Sequence, residues 1–238
     1  MINKPKAIMN WSGGKDSALA LHAVLQAGDY DVVALLTTVT EVDGRISMHH
    51  VRAELLDQQA AAIGLPLIKV PIPVQASLAA YDNLMYQHLA PLVAAGVSHA
   101  IFGDLFLEDL KTYREQRLAE LNLTAVFPLW QQNTAELAQQ FVGQGFRAIT
   151  VCVNEKYLDQ RFVGREMDAA FFASLPAGVD PCGENGEYHS FVYDGPLFAQ
   201  PIAVTPGHIE RRTLGEANNT FDTAFWFADL ETTPEFAR

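Results

Sequence analysis

The sequence predicts an α/β fold: a doubly wound parallel sheet with helices on both faces, followed by a smaller α+β domain. Three observations predict it. Strand-like and helix-like segments alternate from Lys6 to Phe127; Asp31–Thr38 is a near-continuous β-branched and aliphatic run, as a strand buried on both faces would be; and the alternation changes after Trp130.

The elements follow in order. Lys6–Asn10 is a short apolar strand, followed by a Gly-rich turn and a helical pattern from Ser17 to Ala27 with Ala18, Leu21, Val24 and Leu25 on one side. Asp31–Thr38 is the buried strand, and Val51–Ile63 is a helix stopped by Gly64 and Pro66. Leu67–Ile72 is a strand, Gln75–Ala95 a helix ended by Gly96, His99–Gly103 a strand, Glu108–Leu121 a helix and Thr124–Phe127 a strand. Beyond Trp130 come a helix over Thr134–Gln144, a strand at Ala148–Val153 and a helix over about Gly164–Leu175. β-like runs follow at Ser190–Tyr193, His208–Leu214 and Thr223–Phe227, in a stretch rich in Gly and Pro. The expected domains are residues 1–130 and 131–238.

Composition limits the function classes. Of 238 residues, 49% are hydrophobic and 18% charged, which is globular and not disordered. No apolar run approaches the roughly 18–20 residues that span a bilayer, so a soluble, cytoplasmic protein is expected. Cys152 and Cys182 form no CxxC pair, and the histidines show no HExxH spacing, which excludes the usual zinc and iron–sulfur signatures. With 16 Lys and Arg against 28 Asp and Glu, the net charge is −12, which disfavours extended contact with nucleic acid. Self-association is left open.

The most informative segment is Ser12-Gly13-Gly14-Lys15-Asp16-Ser17, between the first strand and the first helix. Glycines let bare N–H groups approach an anion, and the helix start adds its own amides and the positive end of its dipole. Lys15 supplies a cation on a long side chain, Asp16 a carboxylate able to hold Mg²⁺, and Ser12 and Ser17 hydroxyls for phosphate oxygens. The segment is neither G-x-x-x-x-G-K-[ST] nor G-x-G-x-x-G.

SGGKDS in this position resembles the PP-loop of the ATP pyrophosphatases, which implies a Rossmann-like domain of that type and attack at the α-phosphate of ATP. Further segments narrow the resemblance to the diphthine–ammonia ligase group: Met48-His49-His50, Ile101-Phe102-Gly103-Asp104, Tyr113-Arg114-Glu115-Gln116-Arg117, Phe127-Pro128-Leu129-Trp130, and Gly183-Glu184-Asn185-Gly186-Glu187-Tyr188-His189. The likeness runs to about Phe198. It departs from the group at GEYHS, where GEYET is expected, and this bears on the natural substrate. The resemblance implies an ATP-binding domain over 1–130, a substrate-binding domain over 131–238, and ATP, Mg²⁺, ammonia or an amine, and a carboxylate as partners. In the group the carboxylate is diphthine on a translation elongation factor. The adenine and ribose are implied near Thr37, Thr38, Met48 and His49; a core or loop role for His49 stays open.

Asp104, after Gly103 at a strand's carboxyl end, is placed to contact ATP, metal or substrate, or else to cap the next helix. Arg114 and Arg117 suit a phosphate or carboxylate. Ordinary surface pairing on this helix, of Glu115 with Lys111 and of Glu120 with Arg117, is the competing role. Glu184, Glu187 and His189, with Tyr188 between, suit substrate binding or proton transfer, or else a turn held by its glycines. Cys182 is read as structural. The catalytic set is therefore Lys15, Asp16, Asp104 and Glu187, in an adenylating, amide-forming ligase that releases AMP and pyrophosphate. A nucleotide-binding module without chemistry, or a PP-loop enzyme acting on another small molecule or RNA, are the alternatives.

Overall fold

A computed structural model describes residues 4–46, 49–214 and 223–232. β1 (Lys6–Asn10), β2 (Asp31–Thr40), β3 (Leu67–Ile72), β4 (Val97–Ile101) and β5 (Thr124–Val126) form a sheet in the order β3-β2-β1-β4-β5, with neighbouring strands parallel. Between them run α1 (Lys15–Ala27), α2 (Ala53–Ile63), α3 (Leu78–Ala94) and α4 (Glu108–Ala119). Successive strand side chains point to opposite faces. Ala7, Met9 and Leu35 thus enter one core with Leu21 of α1 and Leu56 of α2, while Ile8, Ala34 and Leu36 enter another with Leu89 of α3 and Leu118 of α4. Helices cover both faces, as the sequence predicts. The strand order turns back between β1 and β4, and ligands in such sheets bind at the carboxyl ends beside that point.

The second sheet contains β6 (Arg147–Asn154), β7 (Tyr188–Asp194), β8 (Val204–Leu214) and β9 (Thr223–Thr232) in the order β7-β6-β9-β8, all antiparallel. α5 (Thr134–Gly143) leads into it, capped by Asn133, whose side-chain oxygen accepts from the amides of Ala135 and Glu136. Phe141 of α5, Val151 of β6 and Phe191 of β7 belong to the same apolar cluster as Met9 and Leu21. The two sheets therefore share a core. Among the described residues no helix is long and apolar enough to cross a membrane.

Most element ends shift from their expected bounds, and two helices start clearly later than the sequence predicts. α3 starts at Leu78 and not Gln75, because the Ser77 hydroxyl caps it, accepting from the Ala80 amide at 3.2 Å. The helix expected over Gly164–Leu175 shrinks to α6 (Ala169–Ala173). Here β6 competes successfully for the backbone: Thr150 N donates to Arg165 O and Met167 N to Ala148 O, both at 2.9 Å. Asp168 then starts the helix by accepting from Phe171 N at 2.7 Å.

Candidate active site

The phosphate loop leaves β1 at the centre of the sheet. Gly13 takes φ +77°, a conformation that glycine alone adopts without strain. Ser12 Oγ accepts from Gly14 N at 3.2 Å and donates to Ser17 Oγ at 3.1 Å, and Ser17 Oγ donates to Gly14 O at 2.9 Å. Lys15 is more constrained than a cation on a flexible stem. It is 1% exposed, its ammonium donates to Cys182 O at 2.7 Å, and it forms an ion pair with Asp16. Burial opposes the ammonium charge, but Asp16, with Cys182 and Tyr188 adding to it, raises Lys15 above its ordinary range.

The opposite wall follows β4. Gly103 lies against the start of α1: a Cβ there would come within 2.8 Å of the Asp16 carbonyl carbon. Asp104 pairs with Arg114 through two contacts, at 3.1 and 3.2 Å, and the Arg114 guanidinium stacks 4.4 Å over Phe102. Arg117, on the same helix, turns away to Glu120 at 2.9 Å and to Asp82 at 3.9 Å. Glu184 closes this wall by accepting from Leu105 N at 2.9 Å. Its carboxyl is pushed up to about 7, chiefly by burial; the Leu105 amide opposes the shift and Asp16 adds to it.

β7 and the loop before it supply the third wall. The His49 and His189 rings pack together at a 30° tilt, centroids 4.6 Å apart, and His49 Nδ1 meets Ser190 O at 3.2 Å. Burial pushes His49 down to about 4 against the Ser190 contact, with Lys15 reinforcing the shift; His189 falls well below its usual value through burial, His49 and Lys15. Both shifts favour the neutral rings, and among the described residues His189 Nε2 is buried without a hydrogen-bond partner. Together the walls enclose a cleft of about 460 Å³ that reaches Thr37 and Thr38 at the end of β2. Tyr188 is buried, its hydroxyl donating to Pro181 O.

The structure thus gathers Ser12, Gly14, Lys15, Asp16, Ser17, Thr37, His49, Gly103, Asp104, Arg114, Glu184, Tyr188 and His189 around one cleft. Gly13, within the loop, does not line the cleft, Arg117 faces away, and Met48 lies outside the described residues. Glu187 is 1% exposed, and its carboxylate accepts from Asp180 N, Asn185 N and Asn185 Nδ2 at 2.9–3.1 Å. That geometry shapes the turn carrying Glu184. Glu187→Gln would set an NH₂ group against those donors, so its expected effect is a loss of about 1–3 kcal/mol. At roughly 2–4 °C per kcal/mol for a chain of this size, thermal melting should show a fall of several degrees. An unshifted melting temperature would refute the assignment. Cys182 is buried, its thiol pushed up to about 12 chiefly by burial, which fits a structural role.

Two residues that brace the phosphate loop carried no site expectation from the sequence. Ser190 Oγ accepts from Lys15 N at 3.1 Å, and Gln59, fully buried, bonds the Gly13 carbonyl at 2.9 Å. Gln59 left a signal: it is the polar member of a buried helical stripe with Leu55, Leu56 and Ala60, and a buried amide needs partners.

A family model described as the diphthamide synthase N-terminal domain matches residues 5–124, and one for the diphthamide synthase C-terminal domain matches residues 133–226. The chain is 28% identical to the diphthine–ammonia ligase of Bos taurus and 26% identical to that of Homo sapiens, in each case over 83% of this chain and 82% of the relative. It is 27% identical to the Schizosaccharomyces pombe diphthine–ammonia ligase over 86% of this chain and 37% of that longer protein.

Proposed function

The chain belongs to the diphthamide synthase family, and on that premise we propose that it is an ATP-dependent ligase joining ammonia to a carboxylate as an amide. In this reading the carboxylate attacks the α-phosphorus of ATP and pyrophosphate leaves. Ammonia then attacks the acyl carbon, AMP departs, and one proton is released. The relatives' names supply diphthine as the carboxylate and ammonia as the donor, and the same pair is proposed here.

The observation that carries the reading is the convergence, on one cleft, of the phosphate loop with its fixed ammonium and the poised carboxyl of Glu184. Lys15 and the helix start would stabilise charge developing on the phosphates. Thr37, Thr38 and Gly103 would line the nucleotide, and Asp104 with Arg114 would position the substrate carboxylate. Asp16, 27% exposed, suits a Mg²⁺ ion, which commonly takes one or two carboxylates plus substrate phosphates. Magnesium there would neutralise phosphate charge. Residues 1–130 are thus read as the ATP-binding part and 131–238 as the substrate part, with β7 also clasping the phosphate loop.

The test supplies ATP, magnesium, ¹⁵N-ammonium and a protein bearing diphthine. AMP and pyrophosphate should appear in step with one labelled nitrogen in the acceptor; ADP, or no turnover, would overturn the reading.

Glu184 is proposed to take the proton released as ammonia adds. Only its ionised form can do so. With free ammonia held constant, amide formation should therefore fall about tenfold per unit as the pH drops below the carboxyl's value of about 7. Glu184→Gln should abolish this limb while ATP–pyrophosphate exchange persists, and a variant with the wild-type profile would remove the role.

A further inference from the structure

We propose that Gln59 is the positioning residue that orients the phosphate loop for ATP, by turning the Gly13 carbonyl away from the cleft and locking it to β7. The inference rests on the ATP-dependent reading given above.

Gln59 is fully buried on α2. Its Oε1 accepts from the Trp11 indole at 2.8 Å, and its Nε2 donates both to Gly13 O at 2.9 Å and to Val192 O at 2.6 Å. The Gly13 carbonyl also accepts from Val192 N at 2.9 Å. One amide thus joins the end of β1, the phosphate loop and β7, and all of its bonding capacity except one lone pair is used.

A phosphate cradle works only if its carbonyls face away from the anion and its amides face toward it. The peptide unit is planar and trans, so the carbonyl of Gly13 and the N–H of Gly14 point in opposite directions. Two donors draw the Gly13 carbonyl inward, which directs the Gly14 N–H to the cleft side, where it meets the Ser12 hydroxyl at 3.2 Å. The tight space enforces the arrangement: a Cβ on Gly13 would stand 2.7 Å from Gln59 Oε1. Without the Gln59 donor, the Gly13 carbonyl loses one of the two hydrogen bonds that keep its peptide from rotating. The carbonyl oxygen could then swing toward incoming phosphate. Through Val192 the same amide ties the loop to the strand carrying His189 and Ser190, so the nucleotide wall depends on β7 being docked.

The test compares Gln59→Met, which keeps the volume and removes both donors, with Leu55→Ala. Leu55 is buried on the same helix but does not line the cleft, so that variant reports lost stability alone. Thermal melting and calorimetric ATP binding are measured on each, followed by AMP formation at saturating and subsaturating ATP. Gln59→Met is expected to weaken ATP binding by about tenfold or more, the scale of one buried hydrogen bond to the loop. KM for ATP should rise more than kcat falls. Leu55→Ala should melt lower and yet bind ATP as the wild type does. If Gln59→Met is insoluble, Gln59→Glu keeps the shape and the Trp11 acceptor but opposes both carbonyls, and is measured in the same way. Unchanged ATP affinity in the soluble Gln59 variant, or an equal loss in Leu55→Ala, would overturn the inference while leaving the ligase reading intact. A wild-type protein that does not bind ATP would overturn both.

Discussion

Replacing Lys15 by methionine is expected to lower AMP formation from ATP by a factor on the order of 10²–10³, the scale for removing one preorganised electrostatic group. The expectation follows from how the ammonium is held. Lys15 is 1% exposed, and its position is fixed by Cys182 O and Asp16, so it spends no reorganisation energy when phosphate charge develops nearby. Methionine preserves most of the volume and removes the charge. It also leaves the Cys182 carbonyl without its donor, at a cost of about 1–3 kcal/mol. Melting should therefore be followed alongside activity, and the rate loss must persist well below the melting temperature. A variant that forms AMP at half the wild-type rate or better would show that the cation is not part of the chemistry.

The parts of the site legible in the sequence were those written by contiguous residues. Ser12 to Ser17 announce an anion loop because glycine, lysine, aspartate and hydroxyl groups stand together after a strand and before a helix. Gly103 and Asp104 could be read from their place at a strand end. What the sequence hid was direction. Arg114 and Arg117 are three residues apart and so lie on the same side of a helix, yet about 60° of rotation separates them, enough to aim one at Asp104 and the other at Asp82 and Glu120. Glu184 and Glu187 share a loop, but one faces the cleft while the other binds the loop's own amides. The links from Lys15 to Cys182 and Ser190, and from Gln59 to Val192, cross more than a hundred residues and have no local pattern at all. The helix expected over Gly164–Leu175 failed for a related reason: β6 offered hydrogen bonds that periodicity within that segment could not anticipate.

Gly103→Ala is expected to weaken ATP binding by about 10–100-fold, because one added methyl group must displace the loop proposed to hold the phosphates. The argument is steric and does not depend on backbone strain, since Gly103 has no positive φ. The new Cβ would lie 2.8 Å from the Asp16 carbonyl carbon, 2.9 Å from Ser17 N and 3.0 Å from Asp16 O. All three are backbone atoms of the first turn of α1, so no side-chain rotation can make room. Ser17 and Ala18 behind that turn are buried, and β4 is fixed on either side by β1 and β5, so either the helix start or the strand end must shift by several tenths of an ångström. Overpacking of this kind costs about 1–3 kcal/mol of stability, which melting will report separately. Gly143→Ala is the matched control: it lies at the end of α5, has no positive φ, and a Cβ there meets nothing within 4 Å among the described residues. That variant should bind ATP as the wild type does and melt at the same temperature or slightly higher. Should Gly103→Ala retain wild-type ATP affinity by calorimetry, the close approach of β4 to the phosphate loop would play no part in holding the nucleotide.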